Sequence, residues 1–283
     1  MVKVFRIVTK KELNTTVTLM EIEAPNVARK AEPGQFIILR TDDDGERIPL
    51  TIADFNRESG TVTIIFQIVG ATTMRLASLN VGDSLCDFVG PLGKPTETKG
   101  LKKVAVVGGG VGCAIAYPVA KKLFKEGAEV HAIVGFRNKD LLILEDEFKN
   151  NSSKFIIMSD DGSVGEKGLV TDALEKLIKS GEKYDEVIAI GPLVMMKFVS
   201  KLTKEYNIKT IVSMNPIMID GTGMCGGCRL TVGGEVKFAC VDGPDFDGHL
   251  VDFDEAIERA SMYKEFETHA REESCNLLKK EVQ

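Results

Sequence analysis

The chain has 283 residues, which is long enough for two domains of ordinary size. Its 43% hydrophobic and 28% charged residues are typical of a globular protein, and a net charge of −6 argues against nucleic acid as a partner. No apolar run has the length of a membrane span and the first residues lack the apolar core of a signal peptide, so a cytoplasmic protein is expected.

The first part of the chain, residues 1–98, consists of short apolar stretches separated by turns. The stretches are rich in Val, Ile, Thr and Phe, a pattern that predicts a small antiparallel β-barrel or sandwich. A turn at Gly90-Pro-Leu-Gly93 is expected to close the barrel. The predicted strands are residues 2–8, 16–22, 35–40, 50–54 and 61–68.

Two short motifs in this part have the residue types of an anion site. Arg47-Ile-Pro-Leu-Thr51 puts an arginine directly before a strand, where it can bind a phosphate while the strand faces a flat ring. Gly70-Ala-Thr-Thr73 is a glycine turn into a short helix, and the free amides of a helix N-terminus bind anions. Taken alone, the first is more often a solvated arginine and the second an ordinary capped helix.

Strands alternate with helices in residues 99–214, which predicts a doubly wound parallel sheet. A helix is expected over about 114–126, directly after the first glycine-rich turn. The predicted strands are residues 104–107, 130–136, 155–158, 186–190 and 210–213.

The turns after these strands carry the candidate nucleotide site. Gly108-Gly-Gly-Val-Gly112 lies between a strand and a helix, the context in which glycines let the backbone approach a pyrophosphate. The second strand ends in Arg137, whose guanidinium can contact an adenosine ribose or its 2′-phosphate. Gly191-Pro192 follows the fourth strand, at the carboxyl edge where ligands bind to such sheets.

The most specific motif is a glycine-rich loop with three cysteines. Cys225 and Cys228 have two residues between them, Cys240 follows, and Asp220 precedes Cys225 with four residues between. Plant-type [2Fe–2S] proteins bind their cluster through C-x4-C-x2-C and a distant fourth cysteine. The carboxylate of Asp220 carries the same single negative charge as the thiolate that it replaces. The pattern therefore predicts a [2Fe–2S] cluster bound by Asp220, Cys225, Cys228 and Cys240.

Other interpretations of this loop stay open at the level of the sequence. The three cysteines and His249 have the composition of a Cys3His zinc site. A C-x2-C pair can also be a redox-active dithiol. Asp220 in a glycine-rich loop is ordinarily a turn residue. The loop and the charged tail together form a third predicted unit, residues 215–283, with a helix over 254–264.

Taken together, the Arg-x-Pro-x-Thr strand, the Gly-Gly-Gly-x-Gly loop, the Gly-Pro strand end and the cysteine loop resemble the ferredoxin–NADP reductase superfamily. Within it, the appended cysteine loop is similar to that of the electron-transfer subunits of dihydroorotate dehydrogenase and of NADH-dependent reduced ferredoxin:NADP oxidoreductase. The resemblance implies FAD, NAD(H) or NADP(H), and a [2Fe–2S] cluster as cofactors. It implies that FAD is held by Arg47, Pro49, Leu50, Thr51, Gly70, Thr72 and Thr73, and the nicotinamide dinucleotide by Gly109, Gly110, Gly112, Gly191, Pro192 and Met195.

The function implied by this resemblance is a relay without acid–base side chains, in which NAD(P)H electrons pass through flavin and cluster to a partner. Asp220 in place of a fourth cysteine favours a subunit of the electron-bifurcating oxidoreductase. Two alternatives remain: the electron-transfer subunit of dihydroorotate dehydrogenase, and a catalytically silent adaptor on the same fold. The implied partner is a larger flavin and iron–sulfur subunit in a heterodimer, which links the chain indirectly to ferredoxin. The apolar run at 214–219, with Met224, is expected at that interface, with part of it in the core.

Overall fold

The computed structural model describes residues 5–281, with side chains as far as residue 272. The start of the first predicted strand, residues 2–4, lies outside the described residues. The N-terminal part folds into one six-stranded antiparallel sheet with the order β1-β2-β5-β4-β3-β6. Its elements are β1 (Ile7–Glu12), β2 (Val17–Glu23), α1 (Pro25–Ala28), β3 (Phe36–Arg40), β4 (Ile48–Asn56), β5 (Thr61–Gln67), α2 (Ala71–Ser78) and β6 (Asp87–Leu92).

This sheet closes into a barrel through the residues that flank its edge strands. Arg6 bridges Ser84, and the Ile7 amide donates to the carbonyl of Asp83 at 2.8 Å. The expectation of a closing turn at residues 90–93 is therefore wrong. Gly90 and Pro91 lie within β6, where the absence of a Cβ at Gly90 lets the strand lie against Ile37 of β3.

The middle of the chain forms a seven-stranded sheet with the order β10-β9-β8-β7-β11-β12-β15, whose last strand, β15 (Asp245–Asp247), comes from the C-terminal part. All neighbouring strands are parallel except the last pair, so the sheet is doubly wound and its strand order reverses between β7 and β11. Its first elements are β7 (Lys103–Gly109), α3 (Cys113–Lys125), β8 (Glu129–Phe136), α4 (Glu145–Asn150), β9 (Lys154–Ser159), β10 (Glu166–Lys167), α5 (Val170–Lys179), β11 (Glu186–Ile190), α6 (Leu193–Glu205) and β12 (Thr210–Ser213).

The C-terminal part adds a two-stranded hairpin, the antiparallel edge strand of the large sheet, and three helices. The helix expected over 254–264 is present and ends three residues earlier, at Ser261, and a further helix that was not expected follows from Lys264 and lies beside α2 of the barrel. No helix among the described residues has an 18-residue stretch apolar enough to cross a membrane. These elements are β13 (Arg229–Val232), β14 (Glu235–Phe238), α7 (Ala239–Asp242), β15 (Asp245–Asp247), α8 (Phe253–Ser261) and α9 (Lys264–Glu281).

The C-terminal part is built into the rest of the molecule through a shared core. Cys228 and Cys240 lie in the same buried cluster as Ile38 of the barrel and Val107 of the large sheet. Burying these apolar groups contributes about 25 cal/mol per Å² removed from water, so the three parts stabilise one another. At the same seam, the Thr96 hydroxyl donates to Asp245 Oδ2 at 2.6 Å, and Asp245 Oδ1 is buried.

Candidate cofactor sites

The start of β4 and the residue before it form the first predicted site. Pro49, Leu50 and Thr51 pair with β3 but remain half-buried, so the strand keeps apolar surface that a flat ring can cover. Arg47 Nε donates to the carbonyl of Ile219 at 2.9 Å, and its Nη1 lies 3.6 Å from Asp87 Oδ2. Arg47 therefore joins the barrel to the residue that precedes Asp220.

The N-terminus of α2 forms the second half of this site. A Cβ added to Gly70 meets no atom within 4 Å, so the helix start is open on that side. The Thr73 hydroxyl accepts from the Gly70 amide at 3.0 Å, and the Thr72 hydroxyl donates to Glu46 Oε2 at 2.7 Å. The Thr73 hydroxyl therefore caps the first turn of α2. The binding of a phosphate by Thr72 and Thr73 stays a prediction.

The predicted nucleotide residues meet at the point where the strand order of the large sheet reverses. A Cβ on Gly112 would lie 2.6 Å from Gly191 Cα, and one on Gly109 would lie 2.4 Å from Met195 Sδ. The turns after β7 and β11 therefore touch backbone to backbone, and Met195 covers the contact. Open α/β sheets bind ligands in the crevice at this point.

Two further predicted nucleotide residues border this crevice. Gly110 has φ +55°, and a Cβ there would meet nothing within 4 Å. Pro192 directly precedes α6 and lies close to Gly109. The remaining predicted residue, Arg137, follows β8 with an exposed side chain. The structure thus gathers the glycines, Pro192 and Met195 in one place and leaves Arg137 at the end of the neighbouring strand.

The glycines of the cysteine loop are required by its backbone. Gly221, Gly223 and Gly226 have φ of +78°, +83° and +67°, a left-handed conformation that other residues rarely adopt. A Cβ on Gly221 would also lie 2.6 Å from Leu92 Cδ1 and 2.9 Å from Ile38 Cδ1. The loop therefore lies directly on strands β3 and β6 of the barrel.

The two buried cysteines are brought together by the β13–β14 hairpin. The Ala239 amide donates to the carbonyl of Cys228, so Cys240 turns back toward Cys228. Their Sγ atoms lie 3.3 Å apart, much farther than the about 2.05 Å of a disulfide. Burial raises the pKa of the Cys240 thiol, so its thiolate is favoured when a bound cation replaces the proton.

The other two predicted ligands lie at the exposed end of the loop. Asp220 accepts from the Thr222 amide through Oδ1 and from the Cys225 amide through Oδ2, both at 2.6 Å. The Thr222 amide is the main cause of a lowered pKa at Asp220, which favours the anionic carboxylate. Cys225 is exposed and its Sγ accepts from the Gly227 amide at 3.5 Å. Because each carboxylate oxygen has two lone pairs, these bonds leave Asp220 able to bind a metal.

These four residues fit a two-iron cluster better than a single zinc ion. A two-iron cluster takes its protein ligands in two pairs, and the structure supplies Cys228 with Cys240, and Asp220 with Cys225. His249, which the zinc interpretation requires, instead bonds Thr203 Oγ1 of α6 through Nε2 at 3.0 Å. The zinc interpretation is therefore disfavoured.

A second group of potential ligands lies at the amino edge of the large sheet. Among the described side chains, only Glu129, His131 and Glu182 bring three such ligand atoms within 4.8 Å of one another. Lys103 Nζ lies 2.8 Å from Glu129 Oε1 and also bonds Glu182. Its hydrogen bond is the main cause that lowers the pKa of Glu182 to about 2. The group is therefore an ion-pair network, in which the ammonium group of Lys103 binds the carboxylates that a metal ion would need as ligands.

Comparisons with known proteins agree with this geometry. The iron–sulfur cluster binding domain of dihydroorotate dehydrogenase B matches residues 215–252. A Thermotoga maritima homologue of the dihydroorotate dehydrogenase B (NAD(+)) electron transfer subunit is 47% identical, with 92% of each chain covered. The Streptococcus mutans electron transfer subunit itself is 32% identical, covering 85% of this chain and 94% of its own.

Among solved structures, one described as NADH-dependent reduced ferredoxin-NADP oxidoreductase is similar throughout. It superposes with a TM-score of 0.90 at 46% identity and covers 95% of this chain and 97% of its own. The fold class predicted from the sequence and the resemblance to this group of proteins are confirmed.

Proposed function

The chain belongs to the family of dihydroorotate dehydrogenase B electron-transfer subunits and their homologues, and on that premise we propose that it transfers electrons between NAD(H) and a partner subunit through FAD and a [2Fe–2S] cluster. The main support is the position of the cysteine loop. Gly221 lies on Leu92 and Ile38 of the barrel, and Ile219 accepts a hydrogen bond from Arg47. A cluster in this loop lies next to the proposed flavin strand, as a relay requires.

In this proposal the cluster is held by two pairs of ligands, Asp220 with Cys225 and Cys228 with Cys240. The cluster supplies one-electron transfer, and the chain supplies the ligands, their charge and the exclusion of water. The buried pair shields one side, since Cys228 and Cys240 are only 1% and 2% exposed. Cys225 at the exposed end faces the side from which a partner can approach.

Replacing Asp220 tests whether its carboxylate binds iron. Asp220→Ala is expected to lose or destabilise the cluster, whereas Asp220→Cys is expected to keep it with a changed potential. Asp220→Asn is the matched variant, because its side-chain oxygen still accepts from the Thr222 amide but carries no charge. Iron content and the EPR spectrum are the measurements. Full iron content in the Ala or Asn variant would make Asp220 a turn residue only.

The flavin is proposed to bind along the first residues of β4, with its phosphates between Arg47 and the N-terminus of α2. Pro49, Leu50 and Thr51 cover one side of the ring. Gly70 leaves the start of α2 open, and Thr72 and Thr73 offer backbone amides there. FAD held there would supply hydride acceptance and single-electron release.

Arg47→Ala is expected to weaken FAD binding about 10- to 100-fold, since a hydrogen bond to a charged group is worth about 1.5–3 kcal/mol. The iron content is expected to stay unchanged. Arg40→Ala is a close control, because Arg40 Nε pairs with the same Asp87 at 2.8 Å without belonging to the proposed site. FAD occupancy after gel filtration measures the effect, and equal occupancy in both variants and the wild type would argue against the assignment of Arg47.

The nicotinamide dinucleotide is proposed to bind in the crevice at Gly109, Gly110, Gly112, Gly191, Pro192 and Met195, with Arg137 near its adenosine half. The close contact of Gly112 with Gly191 holds the two turns at the positions from which their amides reach a pyrophosphate. The similarity to the NADH-dependent oxidoreductase supports NAD(H) as the dinucleotide.

The proposed partner is a larger flavin and iron–sulfur subunit, in an electron-bifurcating complex linked to ferredoxin. The apolar run expected at the interface is divided: Met214 and Met218 are buried in the core, whereas Ile217, Ile219 and Met224 are 39%, 51% and 88% exposed. Ile217 and Ile219 precede the loop and Met224 lies within it, and these exposed side chains offer the apolar centre that a permanent interface needs.

An absorption and EPR spectrum of the purified protein tests the proposal as a whole. Flavin bands together with a [2Fe–2S] signal that NADH reduces are expected. Absence of both cofactors after reconstitution would favour the silent adaptor. Native mass spectrometry of the protein from its source tests the heterodimer, and a monomer that reduces ferredoxin unaided would contradict it.

A further inference from the structure

Two arginines hold consecutive carbonyl groups of the cysteine loop. Arg229 Nη1 donates to the carbonyl of Gly226, and Arg259 Nη2 donates to the carbonyl of Gly227, each at 3.3 Å. Arg229 begins β13, whereas Arg259 lies thirty-two residues from Gly227 on α8. The two carbonyls lie between Cys225 and Cys228. Neither arginine was identified as a functional residue in the sequence, because no motif links Arg259 to the loop.

The Arg229 contact acts on a peptide group that also bonds a cysteine sulfur. The carbonyl of Gly226 and the amide of Gly227 belong to one trans peptide, so they point in opposite directions. The Gly227 amide donates to Cys225 Sγ at 3.5 Å. Arg229, the peptide and the sulfur therefore form one chain of hydrogen bonds, in which each bond polarises the next. The left-handed conformation of Gly226, φ +67°, gives the peptide this orientation.

Both guanidinium groups also bring a net positive charge. Among the described residues, no carboxylate oxygen lies within 4.0 Å, the limit for an ion pair, of the Arg229 or Arg259 guanidinium nitrogens. Arg259 is half-buried, and its helix is fixed to the hairpin because Glu255 accepts from the Thr231 amide at 3.1 Å. A cluster with two ferric ions, two sulfides, three thiolates and one carboxylate has a charge of about −2, and reduction by one electron makes it more negative. Nearby positive charge favours the reduced form.

We propose that Arg229 and Arg259 are positioning residues that raise the reduction potential of the cluster, by polarising the peptides of Gly226 and Gly227 and by placing two positive charges beside the loop. This inference rests on the proposed [2Fe–2S] cluster. The net charge of the surroundings and hydrogen bonds to the ligand sulfurs are both known levers on such potentials. The pair makes the cluster a better electron acceptor from the flavin.

An EPR-monitored redox titration of the full chain tests this inference. Arg229→Gln and Arg259→Gln are each expected to decrease the ratio of reduced to oxidised cluster roughly tenfold at a fixed potential, equivalent to a midpoint potential about 59 mV more negative for one electron. The double variant is expected to shift further. Arg259→Lys keeps the charge and is expected to restore most of the wild-type potential.

Lys197→Gln is the matched control. It removes one positive charge and also the ion pair of Lys197 Nζ with Asp254 Oδ1 of α8, 2.6 Å long, without touching the loop. A wild-type potential is expected in this variant. An intact cluster with an unchanged potential in both arginine-to-glutamine variants would overturn the inference. An equal shift of the potential in Lys197→Gln would overturn it as well. So would a loss of iron in Arg259→Gln that Arg259→Lys also shows. A wild-type protein that binds no iron would instead contradict the proposed function.

Discussion

Cys240→Ala is expected to abolish the [2Fe–2S] cluster while FAD stays bound. Cys240 is 2% exposed and its Sγ lies 3.3 Å from that of Cys228, so alanine removes one thiolate of a buried pair and solvent cannot replace it. Changes outside the ligand shell already cost about 10- to 100-fold in metal affinity, so the loss of a ligand is expected to cost more. Iron content and the low-temperature EPR signal measure the effect.

Cys113→Ala separates this effect from the general loss of a buried thiol. Cys113 is also fully buried, but it begins α3 and packs near Gly108 in the nucleotide part of the molecule. Its iron content is expected to equal that of the wild type. Retention of iron by Cys240→Ala at the level of Cys113→Ala would rule out the proposed ligand set.

Local sequence patterns predict most of this architecture. The strand from residue 186 to 190 and the strand from 210 to 213 were predicted with the bounds that β11 and β12 have. The glycine turn between β7 and α3 was predicted from its flanking strand and helix. These features succeed because each is encoded within a few residues, by β-branched runs and by glycines at required positions.

Contacts between distant segments were not predictable in the same way. The pairing of Arg6 with Ser84 closes the barrel, and no pattern in either segment indicates it. Gly90-Pro91 has the composition of a turn, yet it lies in β6 because Ile37 of the neighbouring strand leaves no room for a Cβ there. The pairing of Cys228 with Cys240 depends on the β13–β14 hairpin, which was not among the predicted elements although its two-residue turn, Gly233-Gly234, is a local hairpin signal.

The strongest effect on nucleotide binding is expected from Gly112→Ala. The added Cβ would lie 2.6 Å from both Gly191 Cα and the Ile190 carbonyl oxygen, and these backbone atoms cannot move aside as a side chain does. Such overpacking costs about 1–3 kcal/mol of stability. Displacing the two turns is expected to lose at least one amide contact to the pyrophosphate, which weakens NADH binding about 10- to 100-fold. Titration calorimetry measures the binding, and FAD and iron contents serve as internal controls.

Gly127→Ala is the matched variant, since Gly127 follows the other end of the same helix, α3. Its φ of +89° makes alanine unfavourable by about 1–2 kcal/mol, but a Cβ there meets no atom within 4 Å. The two variants are therefore expected to lose similar stability, and only Gly112→Ala to lose affinity for NADH. Equal NADH affinity in both variants would show that the contact between the turns of β7 and β11 serves packing alone, and the dinucleotide would have to bind elsewhere on the sheet.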